Sequence, residues 1–223
     1  NILWGGLSNF GKELIKEMNR VGIMIDISHV NDDAFYQAIE ISETPVIASH
    51  SSLRYFTPGF ERNVSDDMLF KLAEKGGVIQ INFGSDFISQ ISQNYRKEQE
   101  GFISSKLYLQ SKGEVENGVS SAEREELRKE YLNLHPYPFA KLSSVLDHID
   151  RVVNLVGIDH VGLGSDFDGV GDTLPTNLKD VSMYPNLVQG LVDRGYEESE
   201  IKKILGQNIL RVWREVENYA EVQ

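Results

Sequence analysis

The sequence predicts an α/β fold in which helices cover both faces of a parallel sheet. Helical patterns alternate with short apolar runs over residues 11–83. The runs are almost continuous in Val and Ile, as in GVIQINF, and strands of that kind are buried on both faces of a sheet. The sequence contains no repeat of fixed period and no low-complexity linker, so we expect a single domain over residues 1–223.

The first part of the chain alternates regularly between helix and strand. In chain order, the predicted elements are a helix at 11–22, a strand at 23–27, a helix from 31 to about 42, a strand at 45–49, a helix at 65–77 and a strand at 77–83. Asn31 and Ser65 are typical N-cap residues, and Gly22 is a typical helix end.

A charged segment at about 85–138 interrupts this alternation. SSAEREELRKEYLNLH favours helix, and QSKGEVENGVSS before it is typical of an exposed loop. We interpret the segment as a helical insertion. The alternation then resumes with a helix at 139–157, a fourth strand at 160–169 and two closing helices at about 184–194 and 197–219.

Composition excludes several classes of function. The chain has 22 basic and 34 acidic residues, a net charge of −12, and its basic residues are scattered, which argues against a nucleic-acid partner. No apolar run has the length of a membrane span. There is no cysteine, so disulfides and thiolate chemistry are excluded. The first residues, NILWGGLSNF, lack the features of a secretory signal and begin without Met, and we therefore expect a processed or trimmed chain.

Polar side chains fall at the ends of four predicted strands. His29, His50, Asn82 and Asp166 all lie at the carboxyl ends. In a parallel barrel or open sheet these ends form the functional site, so the four side chains should converge. A single His at a strand end is more often a structural residue, but two at adjacent strand ends can bind one metal ion. The pattern therefore predicts a metal site that includes His29 and His50.

Acidic residues near these strand ends have different predicted roles. Asp166 lies among glycines beside an apolar strand, where it could accept a proton from a metal-activated water, although a simple turn residue is the alternative. Asp168 fits the turn role better. Asp26, in the middle of IMIDISHV, is expected to accept a buried hydrogen bond and to orient a metal ligand. The remaining histidines are interpreted as structural or loop residues: His135, His148 and His160.

Four ordered motifs resemble those of the membrane dipeptidase family of zinc peptidases, within the metal-dependent amidohydrolases. GIMIDISHV and PVIASHSS resemble the strands with two metal-binding histidines, FERNVSDDML the segment with a substrate-binding Arg, and HVGLGSDFDGV the strand with a catalytic Asp. The closing helices are similar as well. The resemblance covers essentially the whole chain except residues 85–138.

The resemblance implies a role for each matching residue. His29 and His50 would be zinc ligands, Asp166 would transfer protons, and Arg62 would bind the carboxylate of the substrate, for which its planar guanidinium is suited. A surface Arg beside Glu61 is the alternative for Arg62. In the family, an early His-x-Asp pair and a bridging Glu complete a site for two zinc ions, and these correspond to positions before residue 1.

The implied fold is a TIM-barrel-like parallel (β/α) architecture, of which this chain resembles roughly the carboxyl half of an eight-stranded barrel. The implied reaction is zinc-dependent hydrolysis of dipeptides, and we expect the chain alone to be inactive and its sheet edges to favour self-association. Two alternatives stay open: a non-catalytic barrel remnant that acts in binding or interaction, and another amidohydrolase that acts on lactones or cyclic amides.

Overall fold

The computed structural model describes residues 4–110 and 121–222. Most of the loop predicted at 110–121 therefore lies outside the described residues. The strands are β1 (Ile47–Ser51), β2 (Val78–Ile81) and β3 (Val161–Leu163). The helices are α1 (Asn9–Val21), α2 (Asp32–Ile41), α3 (Asp66–Glu74), α4 (Ser85–Ile88), α5 (Gln90–Gln110), α6 (Ser121–Leu134), α7 (Leu142–Val156), α8 (Tyr184–Asp193), α9 (Glu198–Lys202) and α10 (Asn208–Glu221).

The three strands form one parallel sheet in the order β1, β2, β3. Sequential parallel strands require a crossover, and α3 supplies the first, whereas α4 to α7 lie between β2 and β3. The central strand is buried on both faces: the adjacent residues Val78 and Ile79, whose side chains point to opposite faces, are both inaccessible to solvent. The predicted α/β class with parallel strands is confirmed.

The predicted helix ends are confirmed by their capping contacts. The Asn31 side chain accepts a hydrogen bond from the amide of Ala34 at 2.8 Å, and that of Ser65 accepts one from Met68 at 3.3 Å. Each contact satisfies an amide that a helix N-terminus leaves without an intrahelical partner. Gly22 ends α1 with a φ of 75°, in the left-handed region that glycine adopts most easily.

Three predicted elements were wrong in extent. Residues 23–27 form a single parallel bridge between Asp26 and Ile47, because the Asp26 carboxylate binds nearby amides and ends the ladder. The strand predicted at 160–169 is only β3, since β3 ends at Leu163 and Asp166 begins a turn in which its carbonyl accepts the amides of Gly169 and Val170. The last predicted helix is divided into α9 and α10 by a π-helical segment, Lys203–Gln207, that contains Gly206 in non-helical conformation.

Where the structure describes the insertion, it is helical, as predicted. Helices α5 and α6 contact each other through an ion pair between Lys106 and Glu130 at 2.9 Å and through the rings of Tyr95 and Tyr131, whose centroids are 5.3 Å apart. Tyr95 also donates a hydrogen bond to the carbonyl of His135 at 2.8 Å. These contacts hold α5 and α6 together as one unit.

Within the described residues, no helix combines the length and the apolar character that crossing a membrane requires.

Candidate metal centre and substrate site

Two imidazoles meet at the carboxyl end of the sheet. His50 belongs to β1, and His29 follows the bridge between Asp26 and Ile47. Their Nε2 atoms are 2.9 Å apart. Two nitrogens bound to one tetrahedral zinc ion at 2.0–2.1 Å would be about 3.3 Å apart. A small opening between the rings would therefore allow both nitrogens to hold one metal ion.

Asp166 lies on the same cavity as both imidazoles. The cavity, of about 1090 Å³, is lined by His29, His50 and Asp166 among others. Asn82, which is fully buried, donates a hydrogen bond from Nδ2 to Asp166 Oδ2 at 2.8 Å. The amide of Gly169 binds the Asp166 carbonyl at 3.0 Å, and a Cβ at Gly169 would lie only 2.0 Å from Asp166 Oδ1. The position of this carboxylate therefore depends on a glycine at 169.

Backbone strain is concentrated at these residues. Among the described residues, the non-glycine positions with positive φ are His29 at 71°, Asp166 at 59° and Asn177 at 67°. The left-handed conformation costs a residue with a Cβ about 1–2 kcal/mol, and such strain is typical of functional sites. Two of these three positions, His29 and Asp166, are thus residues for which the sequence predicted a functional role.

Arg62 is half-buried and bound to β1. It donates from Nη1 to Ser51 Oγ at 2.7 Å and from Nη2 to the carbonyl of His50 at 2.9 Å. Its Nε is buried without a hydrogen-bond partner in the described part of the chain. Burial lowers the pKa of the Arg62 guanidinium, against the opposing effect of the negative charges of Asp166 and Asp26. The alternative of a surface Arg beside Glu61 does not describe this environment.

Arg62 faces a second cavity that adjoins the first. This space of about 460 Å³ is lined by Arg62, His29 and Phe87, and His29 and Phe87 also line the larger cavity. Arg54 fixes the loop that carries Arg62, since it binds both oxygens of Asp32 at 2.8 Å and the carbonyl of Glu61 at 3.0 Å. A cationic group is thus held beside the imidazole pair.

Asp26 differs from its prediction in one respect. It is exposed rather than buried, yet it accepts three hydrogen bonds: from the amides of Ser28 and Ser49 at 2.9 and 3.0 Å, and from Ser49 Oγ at 2.5 Å. Ser49 Oγ is also 2.6 Å from His50 Nδ1. Sequence reasoning missed Ser49, although its place directly before His50 was a usable signal.

The insertion supplies a wall of the larger cavity that the sequence did not predict. Asp86 is almost fully buried, accepts a hydrogen bond from Tyr137 Oη at 2.6 Å and pairs with Arg96 at 3.2 Å. Burial, followed by the bond to Asp86, raises the pKa of Tyr137. Asp86, Tyr137, Arg96 and Phe87 all line the cavity. No sequence signal linked these residues, because their contacts depend on the tertiary packing of the insertion.

The other histidines are structural. His148 is fully buried, and its Nδ1 accepts a hydrogen bond from the amide of Leu53 at 3.1 Å. His160 contacts the carbonyl of Gly77 at 2.8 Å. His148 and Asp150 form a His-x-Asp sequence within α7, but Asp150 accepts from Tyr196 Oη at 2.8 Å and does not pair with His148. This pair is therefore no counterpart of an early metal-binding His-x-Asp.

The described residues contain no group of three or more His, Asp or Glu side chains arranged to hold a metal ion. Two imidazoles supply half of the four ligands that zinc normally takes. Burial, followed by the positive charge of Arg62, lowers the pKa of His29, which favours the neutral imidazole that metals bind. The donor set thus fits part of a metal site, and a complete site needs further ligands.

A parallel α/β fold that brings histidines and an aspartate to one cavity is compatible with the class of metal-dependent hydrolases, and a metallopeptidase is among the solved structures that the chain resembles. The chain belongs to the membrane dipeptidase family, peptidase family M19, whose family model matches residues 1–223. This family of metallopeptidases is the one that the four sequence motifs resembled.

Curated relatives support the same assignment. An uncharacterised dipeptidase of Schizosaccharomyces pombe is 36% identical over 216 residues, which are 96% of this chain and 41% of the relative. The dipeptidase tcpJ of Claviceps purpurea is 36% identical over 218 residues, 98% of this chain and 40% of the relative. The chain therefore spans about two fifths of the length of these relatives.

Solved structures extend the similarity to the fold. The probable dipeptidase PvdM of Pseudomonas aeruginosa superposes with a TM-score of 0.80 at 30% identity, over 98% of this chain and 56% of that one. A metallopeptidase of Rhodobacter sphaeroides, liganded with a phosphinate mimic of the dipeptide L-Ala-D-Ala, gives a TM-score of 0.68 at 27% identity, over 95% and 47%.

Proposed function

We propose that this chain contributes the carboxyl-side part of the active site of a zinc-dependent dipeptidase. The observation that carries the proposal is the 2.9 Å approach of the His29 and His50 Nε2 atoms on a cavity that Asp166 shares. The family match and the dipeptide mimic bound to a solved relative support a dipeptide as the substrate.

His29 and His50 would hold one zinc ion through their Nε2 atoms, and two ions would occupy the complete site. Zinc, when bound, supplies the Lewis acidity that lowers the pKa of water and polarises a carbonyl group. Asp166 would accept the proton of the attacking water and deliver it to the leaving amine, while Asn82 holds its other oxygen.

Arg62 would bind the carboxylate of the dipeptide. Its Nε faces no partner among the described residues, and the guanidinium lines the cavity adjoining the imidazole pair. A carboxylate ligand would pair with the charge of the guanidinium, whose Nη1 and Nη2 each keep one N–H beyond the bonds to Ser51 and His50. The location of this cation limits the distance between the scissile bond and the terminal carboxylate, which favours dipeptides over longer peptides.

We further propose that the chain is one domain and forms part of a (β/α)₈ barrel. The support is the parallel sheet, extended by the parallel bridge between residues 26 and 47, together with the share of each relative that the chain covers. The remaining strands and ligands would complete the metal site, so the chain alone would be inactive. Self-association through exposed sheet edges stays a prediction.

Asp166→Asn tests the assignment of the proton-transfer group; this and every other turnover or zinc measurement uses the full-length protein in which the site is complete. The variant keeps the shape of the side chain and its contact with Asn82, so zinc content should be unchanged while dipeptide turnover is lost. The matched control is Asp168→Asn, two positions along the same turn, which should retain turnover. Full activity in Asp166→Asn would contradict the proposed role.

Arg62→Lys tests the carboxylate anchor. Lysine keeps the charge but not the planar pair of donors, so KM for a dipeptide should rise at least about 10-fold while kcat changes less. Amidation of the substrate's carboxyl terminus should produce a similar loss in the unchanged protein and little further loss in the variant. An unchanged KM would exclude this role.

Zinc content separates the enzyme from a non-catalytic remnant. Metal analysis after dialysis should show zinc retained by the complete site and released on His50→Ala, whereas a remnant would hold little zinc in either form. Turnover of dipeptides but not of lactones or cyclic amides would separate the dipeptidase from other amidohydrolases.

A further inference from the structure

An aspartate in an apolar segment needs a physical reason, and Asp26 has one in the hydrogen bonds around His50. Its Oδ1 accepts the amides of Ser28 and Ser49, and its Oδ2 accepts the hydroxyl of Ser49 at 2.5 Å. The same hydroxyl oxygen is 2.6 Å from His50 Nδ1. The carboxylate thus reaches the imidazole through one intervening serine.

The direction of each hydrogen bond follows from the chemistry of the groups. An ionised carboxylate only accepts, so the Ser49 hydroxyl donates its single proton to Asp26. Ser49 Oγ then has only lone pairs to offer to His50, so Nδ1 of the imidazole must carry a proton. In neutral His50, Nε2 is consequently the unprotonated nitrogen.

The unprotonated nitrogen is the one that faces the candidate metal centre. His50 Nε2 is 2.9 Å from His29 Nε2, and both rings line the larger cavity. Metal-ligating histidines commonly donate their other ring N–H to a partner that fixes tautomer and orientation. The backbone amide of His50 also donates a hydrogen bond to Ser28 Oγ at 3.1 Å, which holds the main chain of His50 in place.

We propose that Asp26 is a positioning residue for His50, acting through Ser49 to keep Nδ1 protonated and Nε2 available to zinc. This inference rests on the proposed function, in which His50 is a zinc ligand. In this inference Asp26 and Ser49 raise the affinity for metal through His50, without contacting the metal themselves.

Asp26→Asn is a sharp test because it reverses the hydrogen bonds without changing the shape of the side chain. The amide oxygen can still accept both backbone amides, while the amide nitrogen faces Ser49 Oγ and must donate to it. The serine proton is then free to point at His50 Nδ1, which favours the opposite tautomer, with the proton on Nε2. Ser49→Ala removes the connection altogether, and Ser49→Thr keeps the hydroxyl.

The tautomer can be read directly from ¹⁵N chemical shifts of the imidazoles in metal-free, isotope-labelled protein. The unchanged protein and Ser49→Thr should show His50 with Nδ1 protonated, and Asp26→Asn should show a shift toward the Nε2-protonated form. Zinc titration should give affinities about 10–100-fold weaker for Asp26→Asn and Ser49→Ala. The matched control is Asp33→Asn, an exposed carboxylate in the first turn of α2 that should change neither measurement.

The possible results distinguish a failure of the role of Asp26 from a failure of the proposed metal site. If Asp26→Asn and Ser49→Ala keep both the tautomer and the zinc affinity of the unchanged protein, the role of Asp26 is overturned. If adding zinc to the protein without substitutions does not alter the ¹⁵N shifts of His29 and His50, the proposed metal site fails. The comparison of the metal-free proteins still decides whether Asp26 sets the tautomer of His50. Weaker zinc binding in Asp33→Asn would attribute the effect to net charge and would also overturn the inference.

Discussion

Acidification should destabilise the protein through His148, the fully buried histidine of α7. Its Nδ1 accepts the amide of Leu53 in the loop after β1, and its ring lies 4.3 Å from that of Phe56 between centroids. Burial lowers the pKa of His148 from 6.5 to about 3. Protonation would place an uncompensated charge in the core and would turn the acceptor of the Leu53 amide into a donor.

The magnitude follows from the difference between the folded and unfolded pKa. The unfolded chain takes up a proton at His148 below pH 6.5 and the folded chain does not, so this contribution is complete above pH 6.5 and is lost as the pH falls toward 3. Each pH unit in that interval costs about 1.4 kcal/mol. At pH 5 the loss is about 2 kcal/mol, a large part of the stability of a typical domain.

Urea unfolding of the unchanged protein and of His148→Asn at pH 7.5 and 5.0 measures this contribution. Asparagine keeps an acceptor near the position of Nδ1 and does not titrate, so its destabilisation relative to the unchanged protein should shrink by about 2 kcal/mol at the lower pH. His135→Asn, at an exposed histidine, is the control and should show no such change. A difference between the two proteins that is the same at both pH values would refute the reasoning.

Three substitutions of glycine by alanine should have different effects on turnover and on the free energy of unfolding, because the surroundings of the three glycines differ. Gly169→Ala places a Cβ 2.0 Å from Asp166 Oδ1, so turnover should fall about 100-fold with little change in urea unfolding, and normal turnover would contradict the proposed constraint on the carboxylate. Gly101→Ala, where a Cβ meets nothing within 4 Å inside α5, should raise the free energy of unfolding by about 1 kcal/mol and leave turnover intact. Gly22→Ala should lower it by about 1–2 kcal/mol because φ is 75° there, and an unchanged urea midpoint would count against left-handed strain.

The sequence predicted the parallel sheet and most helices because their signals are local. N-cap residues such as Asn31 and Ser65 act within one helical turn, and the apolar runs of buried strands are visible in the sequence. The shortness of β3 was not predictable, since it depends on where strand pairing stops ahead of the turn that begins at Asp166. The bridge at Asp26 was not predictable either, because a side chain takes the place of backbone pairing there.

The sequence predicted the residues of the candidate site that follow the strands. It did not predict those that the insertion supplies or the contacts that loop residues make there. His29, His50 and Asp166 converge because the carboxyl ends of parallel strands share one edge, which is a property of topology. The buried pair of Asp86 and Tyr137 comes from packing of the insertion, which leaves no periodic trace in the sequence. The resemblance identified Arg62, but only the structure shows that it binds the backbone of His50.

The hydrogen bond from Arg62 to the carbonyl of His50 attaches the guanidinium to the same residue that carries one of the two imidazoles. Any thermal displacement of the end of β1 carries the imidazole and the guanidinium along together, so the gap between them is preserved while both move. Acceptance of longer peptides would then require a new path for the segment between Arg54 and Arg62, because bending the strand would not widen that gap.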